Sequence, residues 1–219
     1  MKIAIDGPAG SGKSTTAKYL AEKLDFLHIN TGSMYRAIAY KCIKHNIDLE
    51  DSISLNNLLN STKLQFDDNQ AGSLHMDGKD ISTAIRTKTV TDYVSLVSSI
   101  QSVRNYLVMC QRNMSQDLNV VLEGRDIGTV VFPKADYKFF LIADIEERAM
   151  RRKKELNELG NEISLNDLIL EISERDRKDS NRKYSPLKKA KDAIEIDTTG
   201  LTIEQQVNSI AKIINKTNK

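Results

Sequence analysis

A run of glycines followed by a lysine and a serine stands near the start of the chain. Residues 7–14 match the pattern G-x-x-x-x-G-K-[ST] at every fixed position. Such a loop lets several backbone N–H groups face one phosphate, while Lys13 reaches the β- and γ-phosphates and Ser14 holds Mg²⁺. The chain is therefore predicted to bind a nucleoside triphosphate. The predicted nucleotide-binding residues are Gly7, Pro8, Ala9, Gly10, Ser11, Gly12, Lys13, Ser14 and Thr15.

Arginines elsewhere in the chain could hold a second phosphate. Arg36 follows the second predicted strand and Arg125 the third. In a parallel sheet both would lie at the edge that carries the glycine-rich loop. Read singly, each could be a surface or capping residue. Together with Arg175 and Arg182 they suit a bidentate grip on a phosphate, which predicts an acceptor that itself carries a phosphate.

Other motifs favour phosphoryl transfer over hydrolysis. A GTPase would need an Asn-Lys-x-Asp motif, and the sequence has none. The D-x-x-G match at residues 197–200 follows the last predicted strand, so we interpret it as a turn. A phosphate acceptor is already ionised and needs no general base. The three histidines, His28, His45 and His75, lie outside the implicated loops and are interpreted as packing or surface residues.

Five short apolar runs predict buried strands, at residues 2–5, 26–29, 120–122, 137–143 and 193–196. Stretches with helical period lie between several of them. This alternation indicates a parallel sheet that is covered by helices on both faces, which is an α/β fold.

Residues 62–81 break the alternation. Their period of two, with Gly and Asp-Gly turn signals, predicts a small antiparallel insert. A surface hairpin with no role beyond packing is the alternative.

A charged helix supplies the remaining candidate residues. Ser164 and Asp167 have the spacing of a capping box, and Leu168 and Ile172 mark an inward stripe behind it. Helical steps of three and four residues along that face reach polar residues. A charge run is usually solvated, but one that continues a buried stripe favours a cleft. The residues reached are Arg175, Asp179 and Arg182.

Composition limits the remaining possibilities. The 219 residues suit one core, and no apolar run approaches the roughly 18 residues of a spanning helix. A net charge of +2 is too small for a whole-surface nucleic-acid or membrane binder. Cys42 and Cys110 stand alone, which fits a reducing compartment and excludes a Cys-rich zinc site. We expect a cytoplasmic protein without a leader, and no nucleic-acid or membrane partner.

These motifs together resemble the bacterial cytidylate kinases, and the resemblance covers essentially the whole chain. The Gly-Arg-Asp run and the enlarged insert separate it from adenylate, guanylate and shikimate kinases, which share the glycine-rich loop. The residues that carry the resemblance are Asp6-Gly7-Pro8 with the loop, Thr31-Gly32 with Tyr35-Arg36, residues 124–133, and Glu174-Arg175-Asp176 through Asn181-Arg182.

The resemblance implies the P-loop NTPase fold as one kinase domain over residues 1–219. A five-stranded parallel sheet with helices on both faces would form the core, from residues 1–30, 105–150 and 165–219. Residues 31–104 would form a nucleoside monophosphate-binding subdomain, with the β insert at about 62–85. A mobile helical lid would occupy about 151–164.

The resemblance also implies roles for single residues. Arg36, Arg125 and Arg182 would hold the acceptor phosphate. Ser95, Arg104 and Asp126 would read cytosine, while Arg175 and Asp179 would meet the sugar. Without the resemblance, Ser95 and Arg104 would be interpreted as a solvent-facing pair. The implied CMP-binding set is Thr31, Tyr35, Arg36, Ser95, Arg104, Arg125, Asp126, Arg175, Asp179 and Arg182, and the catalytic set is Lys13, Arg36, Arg125, Asp126 and Arg182.

The expected reaction is transfer of a phosphoryl group from ATP to CMP or dCMP, assisted by Mg²⁺ on Ser14, in a monomeric enzyme. One or more of the lid arginines Arg148, Arg151 and Arg152 would approach the γ-phosphate. A kinase acting on another small molecule such as UMP is the alternative, and an RNA-responsive ATPase is a second one. At Asn30 the sequence departs from the family, which usually has an acidic residue there.

Overall fold

The computed structural model describes residues 1–66, 73–158, 160 and 162–217. Its strands are β1 (Lys2–Asp6), β2 (Leu27–Asn30), β3 (Leu64–Phe66), β4 (Leu74–Met76), β5 (Lys79–Asp80), β6 (Val120–Gly124), β7 (Tyr137–Ile142) and β8 (Ile194–Asp197). Its α-helices are α1 (Lys13–Leu24), α2 (Thr31–Lys44), α3 (Ser52–Asn60), α4 (Lys88–Val97), α5 (Gln101–Met114), α6 (Ile145–Glu158), α7 (Leu165–Asn181) and α8 (Ile203–Thr217). Short helical turns lie at Ala84–Arg86 and Ile127–Val131.

The central sheet has the order β2-β6-β1-β7-β8, and all its strands run parallel. Successive side chains of β1 point to opposite faces. Ile3 and Ile5 pack with residues of α1 and α8, whereas Ala4 packs with residues of α2 and α5. The predicted parallel sheet with helices on both faces is therefore confirmed. Because β1 lies between β6 and β7, the loop that follows it opens at the centre of the carboxyl edge.

A small antiparallel sheet of order β3-β4-β5 confirms the predicted insert. Part of the predicted segment, residues 67–72, lies outside the described residues. Phe66, Leu74 and Met76 are buried in the same apolar cluster as α2, α4 and α5. The insert therefore shares one core with the helices around it.

Lys41 of α2 attaches the insert by polar contacts. Its Nζ donates to the Thr62 hydroxyl at 2.9 Å and lies 2.7 Å from an Asp77 carboxylate oxygen. The other Asp77 oxygen accepts from the Lys63 backbone N–H. Asp77 has a left-handed backbone, with φ 53°, and begins the β4–β5 turn. One carboxylate thus fixes both the hairpin turn and its attachment to α2.

The helices α6 and α7 form a charged hairpin with a small core of its own. Ala149, Leu168 and Ile172 are buried against Ala9 of the glycine-rich loop. The predicted cap of α7 is confirmed, since Ser164 Oγ accepts from the Asp167 backbone N–H. Helix α6 runs without interruption across residues 150 and 151, between which the core was predicted to end and the lid to begin. Residues 159 and 161 of that predicted lid lie outside the described residues.

No helix in the described part of the chain combines the length and the apolar character needed to cross a bilayer.

Replacing Asp77 tests the attachment of the insert. Asp77→Asn tolerates the left-handed backbone but leaves the buried Lys41 ammonium without its counter-ion. We expect the free energy of unfolding to fall by about 1–2 kcal/mol. Asp92→Asn, which removes a solvent-exposed partner of Lys88, should leave the free energy of unfolding nearly unchanged. Urea denaturation of both variants measures the difference, and equal losses would show that the Lys41 contact does not anchor the insert.

Candidate active site

The glycine-rich loop connects β1 to α1 at the centre of the sheet edge. Gly7 has φ 150°, and a Cβ there would lie 2.2 Å from the Leu141 carbonyl oxygen of β7. Gly10 has φ 74°, and its Cβ would lie 3.0 Å from Arg148 Cβ of α6. Only glycine fits both the backbone conformation and the space at these two positions. The loop is therefore wedged between β7 and α6.

Lys13 is the first residue of α1, and its side chain turns back into the loop. Its Nζ donates to the Pro8 carbonyl at 2.5 Å and to Ser11 Oγ at 3.2 Å. Burial, together with repulsion from Arg125 and Arg175, lowers the pKa of the Lys13 ammonium, while Glu123 and Asp176 oppose that shift. Ser14 is exposed and Thr15 half-buried. The loop thus presents a shielded cation beside an accessible hydroxyl.

A buried threonine from the loop after β8 supports the glycine-rich loop. The Thr198 hydroxyl lies 3.1 Å from the Ser11 carbonyl oxygen and 2.9 Å from that of Ile142. Arg151 donates to both the hydroxyl and the carbonyl of Thr198. The sequence identified residues 197–200 only as a turn, because a contact between residues so far apart in the chain leaves no local signal.

Two polar contacts and one unpartnered carboxylate mark the edge strand β2 and its neighbour β6. The Thr31 hydroxyl donates to the Glu123 carbonyl at 2.7 Å. Asn30 caps α2 by accepting from the Ser33 backbone N–H, so the residue that departs from the family acts as an ordinary helix cap here. The Glu123 side chain is buried, and its Oε1 has no partner among the described residues. The buried Glu123 carboxylate therefore lies on the strand next to β1, which leads into the glycine-rich loop.

Asp6 joins β1 to the loop that follows β6. Its two carboxylate oxygens accept from the backbone N–H groups of Ile127 and Gly128, each at 2.8 Å. Burial raises the pKa of Asp6 to about 6, although both hydrogen bonds and the Lys13 charge lower it. Sequence reasoning gave Asp6 no role of its own. In the structure it fixes the loop that follows β6, which contains Gly124-Arg125-Asp126, against the glycine-rich loop.

Arginines crowd the space beside Lys13. Arg125 donates from Nε to Asp179 at 2.9 Å, and Arg36 donates to the Thr91 hydroxyl at 2.7 Å. The Nε of Arg175 has no partner among the described residues. Burial, and next the repulsion among these guanidinium groups, lowers the pKa of Arg36 and of Arg175 to about 10. Such an excess of buried positive charge is suited to a polyanion.

The three predicted lid arginines differ in what they contact. Arg152 pairs with Glu155 and is one of the charges that lower the pKa of Arg36 and Arg175, so it lies near the arginine cluster. Arg151 donates hydrogen bonds to Thr198. Arg148 donates to the Ala9 carbonyl at 2.9 Å and pairs with Asp176. All three therefore contact protein groups, but the partner of Arg152 is the most exposed of them.

A second polar cluster surrounds Asp126. Its Oδ2 accepts from Arg104 Nη2 at 2.5 Å, and its Oδ1 lies 3.8 Å from Arg182 Nη2. The Arg104 guanidinium lies 5.2 Å from the centroid of the Tyr35 ring. Burial, and secondarily the Asp126 charge, raises the pKa of the Tyr35 hydroxyl. A carboxylate, two guanidinium groups and an aromatic ring thus share one site.

The structure connects α4 and α7 to this cluster. Arg104 also donates to the Ser98 carbonyl at the end of α4, which carries the half-buried Ser95. Asp179 lies within 3.7 Å of Arg182 while it accepts from Arg125. Asp179 therefore bridges the Asp126 cluster and the arginine cluster beside Lys13.

The parallel sheet and the glycine-rich loop define a protein of the P-loop NTPase fold. A shikimate kinase from Bacteroides thetaiotaomicron superposes with a TM-score of 0.50 and 11% identity, and covers 98% of both chains. A gluconokinase from Sinorhizobium meliloti also gives 0.50 at 11% identity, over 99% of this chain and 95% of that one. At such low identity these likenesses show the fold alone.

Sequence comparison shows the family. The family model described as "Cytidylate kinase" matches residues 3–216. Cytidylate kinases from Desulforamulus reducens and Clostridium botulinum are 51% and 50% identical, over 98% and 99% of this chain and 96% and 98% of theirs. One from Halalkalibacterium halodurans is 49% identical over 96% of this chain and 95% of its own. The chain belongs to the cytidylate kinase family, as the resemblance implied.

The titration of Asp6 gives a test of its burial. Because the pKa is about 6 in the folded protein against 3.8 for the free side chain, the folded state retains its proton longer. The contribution of Asp6 to the free energy of unfolding should therefore fall as the pH rises, by about 2 kcal/mol between pH 4 and 6 and by roughly 3 kcal/mol in all before it levels off near pH 7. Urea denaturation of the wild type and Asp6→Asn across this range measures the difference. A difference that is flat or rises with pH would contradict the assignment.

Proposed function

We propose that this protein transfers the γ-phosphate of ATP to CMP and dCMP. The observation that carries the proposal is the adjacency of two sites. Lys13 lies beside arginines that have too few carboxylate partners to balance their charge. Asp179 contacts both Arg125 of this group and Arg182 of the Asp126 cluster, so the two sites adjoin. Membership of the cytidylate kinase family supports the same reaction.

The donor side of the site suits ATP with Mg²⁺. No group of three metal-ligating side chains occurs within the described ranges, and Mg²⁺ characteristically takes few protein ligands besides phosphates and water. The exposed Ser14 hydroxyl and the unpartnered Glu123 oxygen fit that requirement. Bound there, Mg²⁺ neutralises charge on the β- and γ-phosphates. Lys13 leaves the Pro8 carbonyl to bind the same phosphates.

The acceptor side suits a nucleoside monophosphate. Arg36, Arg125 and Arg182 hold its phosphate, and Arg175 and Asp179 face its sugar. Because the phosphate is already ionised, the site needs no general base. The arginines instead stabilise the equatorial charge that develops during in-line transfer. A bound phosphate offsets the repulsion among these guanidinium groups, which favours the bound state.

Asp126 provides the base specificity. One of its oxygens accepts from Arg104, and the other is available to accept from the amino group of cytosine. Uracil presents a carbonyl at that position, which would face the carboxylate unfavourably. A UMP kinase is therefore disfavoured. Tyr35 and Arg104 line the same cluster, and Ser95 lies on the adjoining helix.

An RNA-responsive ATPase finds little support in the insert. Recognition of RNA on a small sheet relies on exposed aromatic side chains that stack on bases. Phe66 is the aromatic residue of this segment, and it is buried. The proposal includes a monomeric, cytoplasmic enzyme in which residues 151–164 close over bound ATP.

An acceptor panel tests the proposal directly. Coupled release of ADP would be followed with Mg-ATP and CMP, dCMP, UMP, AMP, GMP or shikimate. We expect CMP and dCMP to give the highest kcat/KM, with UMP lower by at least tenfold. Any other acceptor at the head of the ranking would refute the assignment.

Replacing Asp126 tests base reading. Asp126→Asn keeps the shape but has one acceptor oxygen where Arg104 and cytosine need two, so kcat/KM for CMP should fall about 100-fold or more. The Kd for ATP should change less than threefold, and discrimination against UMP should narrow. Isothermal titration and steady-state kinetics give these values, with Asp92→Asn on the exposed face of α4 as control. Equal losses of ATP binding and CMP turnover would exclude the base-reading role.

A further inference from the structure

The peptide of Ala9 is held from both sides by one ion pair. Its N–H donates to Asp176 Oδ1 at 3.0 Å, and its carbonyl accepts from Arg148 Nη1 at 2.9 Å. Arg148 and Asp176 also pair with each other. The glycine-rich loop, α6 and α7 are thereby joined in a closed ring of polar contacts.

Apolar packing reinforces the same junction. The Ala9 side chain is buried with Ala149, Leu168 and Ile172, and Gly10 lies close against Arg148. The side chains of Arg148 and Asp176 are only 10% and 19% exposed. Solvent therefore screens this pair far less than a surface ion pair. The α6–α7 hairpin thus meets the glycine-rich loop at Ala9 and Gly10, and Ala9 makes both polar and apolar contacts.

The contacts of Arg148 argue against direct binding of the γ-phosphate. Its Nη1 already donates to the Ala9 carbonyl and to Asp176, and releasing it would leave a poorly solvated carboxylate and a carbonyl without their donor. Arg152, whose partner Glu155 is 62% exposed, can turn at much lower cost. Arg148 is thus placed to hold the loop.

Asp176 lies on α7 between residues that the proposed function assigns to the acceptor. Arg175 precedes it and belongs to the arginine cluster beside Lys13, and Asp179 follows one turn later. Fixing Asp176 to Ala9 therefore fixes α7 against the donor loop. It also sets where Arg175 and Asp179 stand relative to the donor phosphates.

We infer that Arg148 and Asp176 are a positioning pair, which aligns the acceptor-binding face of α7 with the phosphate-binding loop through the Ala9 peptide. The inference rests on the proposed function, because alignment matters only when two phosphates must meet in line. Small misplacements of reacting groups reduce the rate of the chemical step far more than they weaken the binding of either substrate alone. The pair should therefore act on kcat.

Three variants test the inference: Asp176→Asn, Arg148→Met and the double variant. Each should lower kcat 10- to 100-fold, with Kd for ATP and for CMP, measured separately by calorimetry, within threefold of wild type. Because both residues act through one ring, the double variant should lose no more than the worse single variant. Glu174→Gln and Arg177→Met, which break a pair that stays 45% and 65% exposed on the same helix, are the matched controls and should leave kcat unchanged.

Three results would overturn the inference. Lower melting temperatures with kcat at 25 °C within twofold of wild type would show a purely structural pair. Loss of ATP affinity by tenfold or more in Arg148→Met alone, with Asp176→Asn active, would make Arg148 a phosphate ligand. Additive losses in the double variant would show two independent roles. If Arg148→Met fails to fold, Arg148→Lys replaces it, with the same expected pattern.

The acceptor panel distinguishes an error in the role of Arg148 and Asp176 from an error in the proposed function. The variants are assayed with whichever acceptor the wild type phosphorylates best, so an acceptor other than CMP would refute the function and still test the pair.

Discussion

Mutual repulsion among cations at one edge of a sheet is the constraint on which this structure depends. Burial lowers the pKa values of Lys13, Arg36 and Arg175, and repulsion from neighbouring cations, the Arg125 charge among them, lowers them further. Such a group persists only because the surrounding elements hold each side chain in place. In the proposed reaction, bound phosphates would offset this repulsion.

The carboxylates of the site are placed to hold this cluster without neutralising it. Asp6 accepts two backbone N–H groups, Asp176 holds the Ala9 peptide and Arg148, and Asp126 engages Arg104. Asp179 accepts from Arg125 and also lies 3.7 Å from Arg182, so it reaches two of the arginines that are proposed to hold the acceptor phosphate. The net charge of +2 over the chain therefore conceals a local excess of positive charge at the sheet edge.

The fold was largely predictable because its signals are local. Near-continuous apolar runs defined the parallel strands, a complete glycine pattern defined the loop, and Ser164 marked the start of α7. Helical steps from Leu168 and Ile172 led to Arg175, Asp179 and Arg182, and the side chains of Asp179 and Arg182 are indeed shielded, at 9% and 8% exposure.

Contacts between distant parts of the chain could not be predicted in this way. Thr198 was interpreted as part of a turn, yet it supports Ser11. The sequence made Arg148, Arg151 and Arg152 candidates for the γ-phosphate, but it cannot tell whether a guanidinium meets a phosphate or a backbone carbonyl. Asn30 departed from the family pattern, and its capping role became visible only with the geometry of α2.

The central claim is that donor and acceptor phosphates share one cluster of cations. A dinucleotide in which adenosine and cytidine are joined by five phosphates spans both halves of the site, and calorimetry would measure its Kd beside those of ATP and CMP. Because linkage makes the second binding event intramolecular, we expect its affinity to exceed that of ATP at least about 100-fold. An affinity no higher than that of ATP alone would contradict the account.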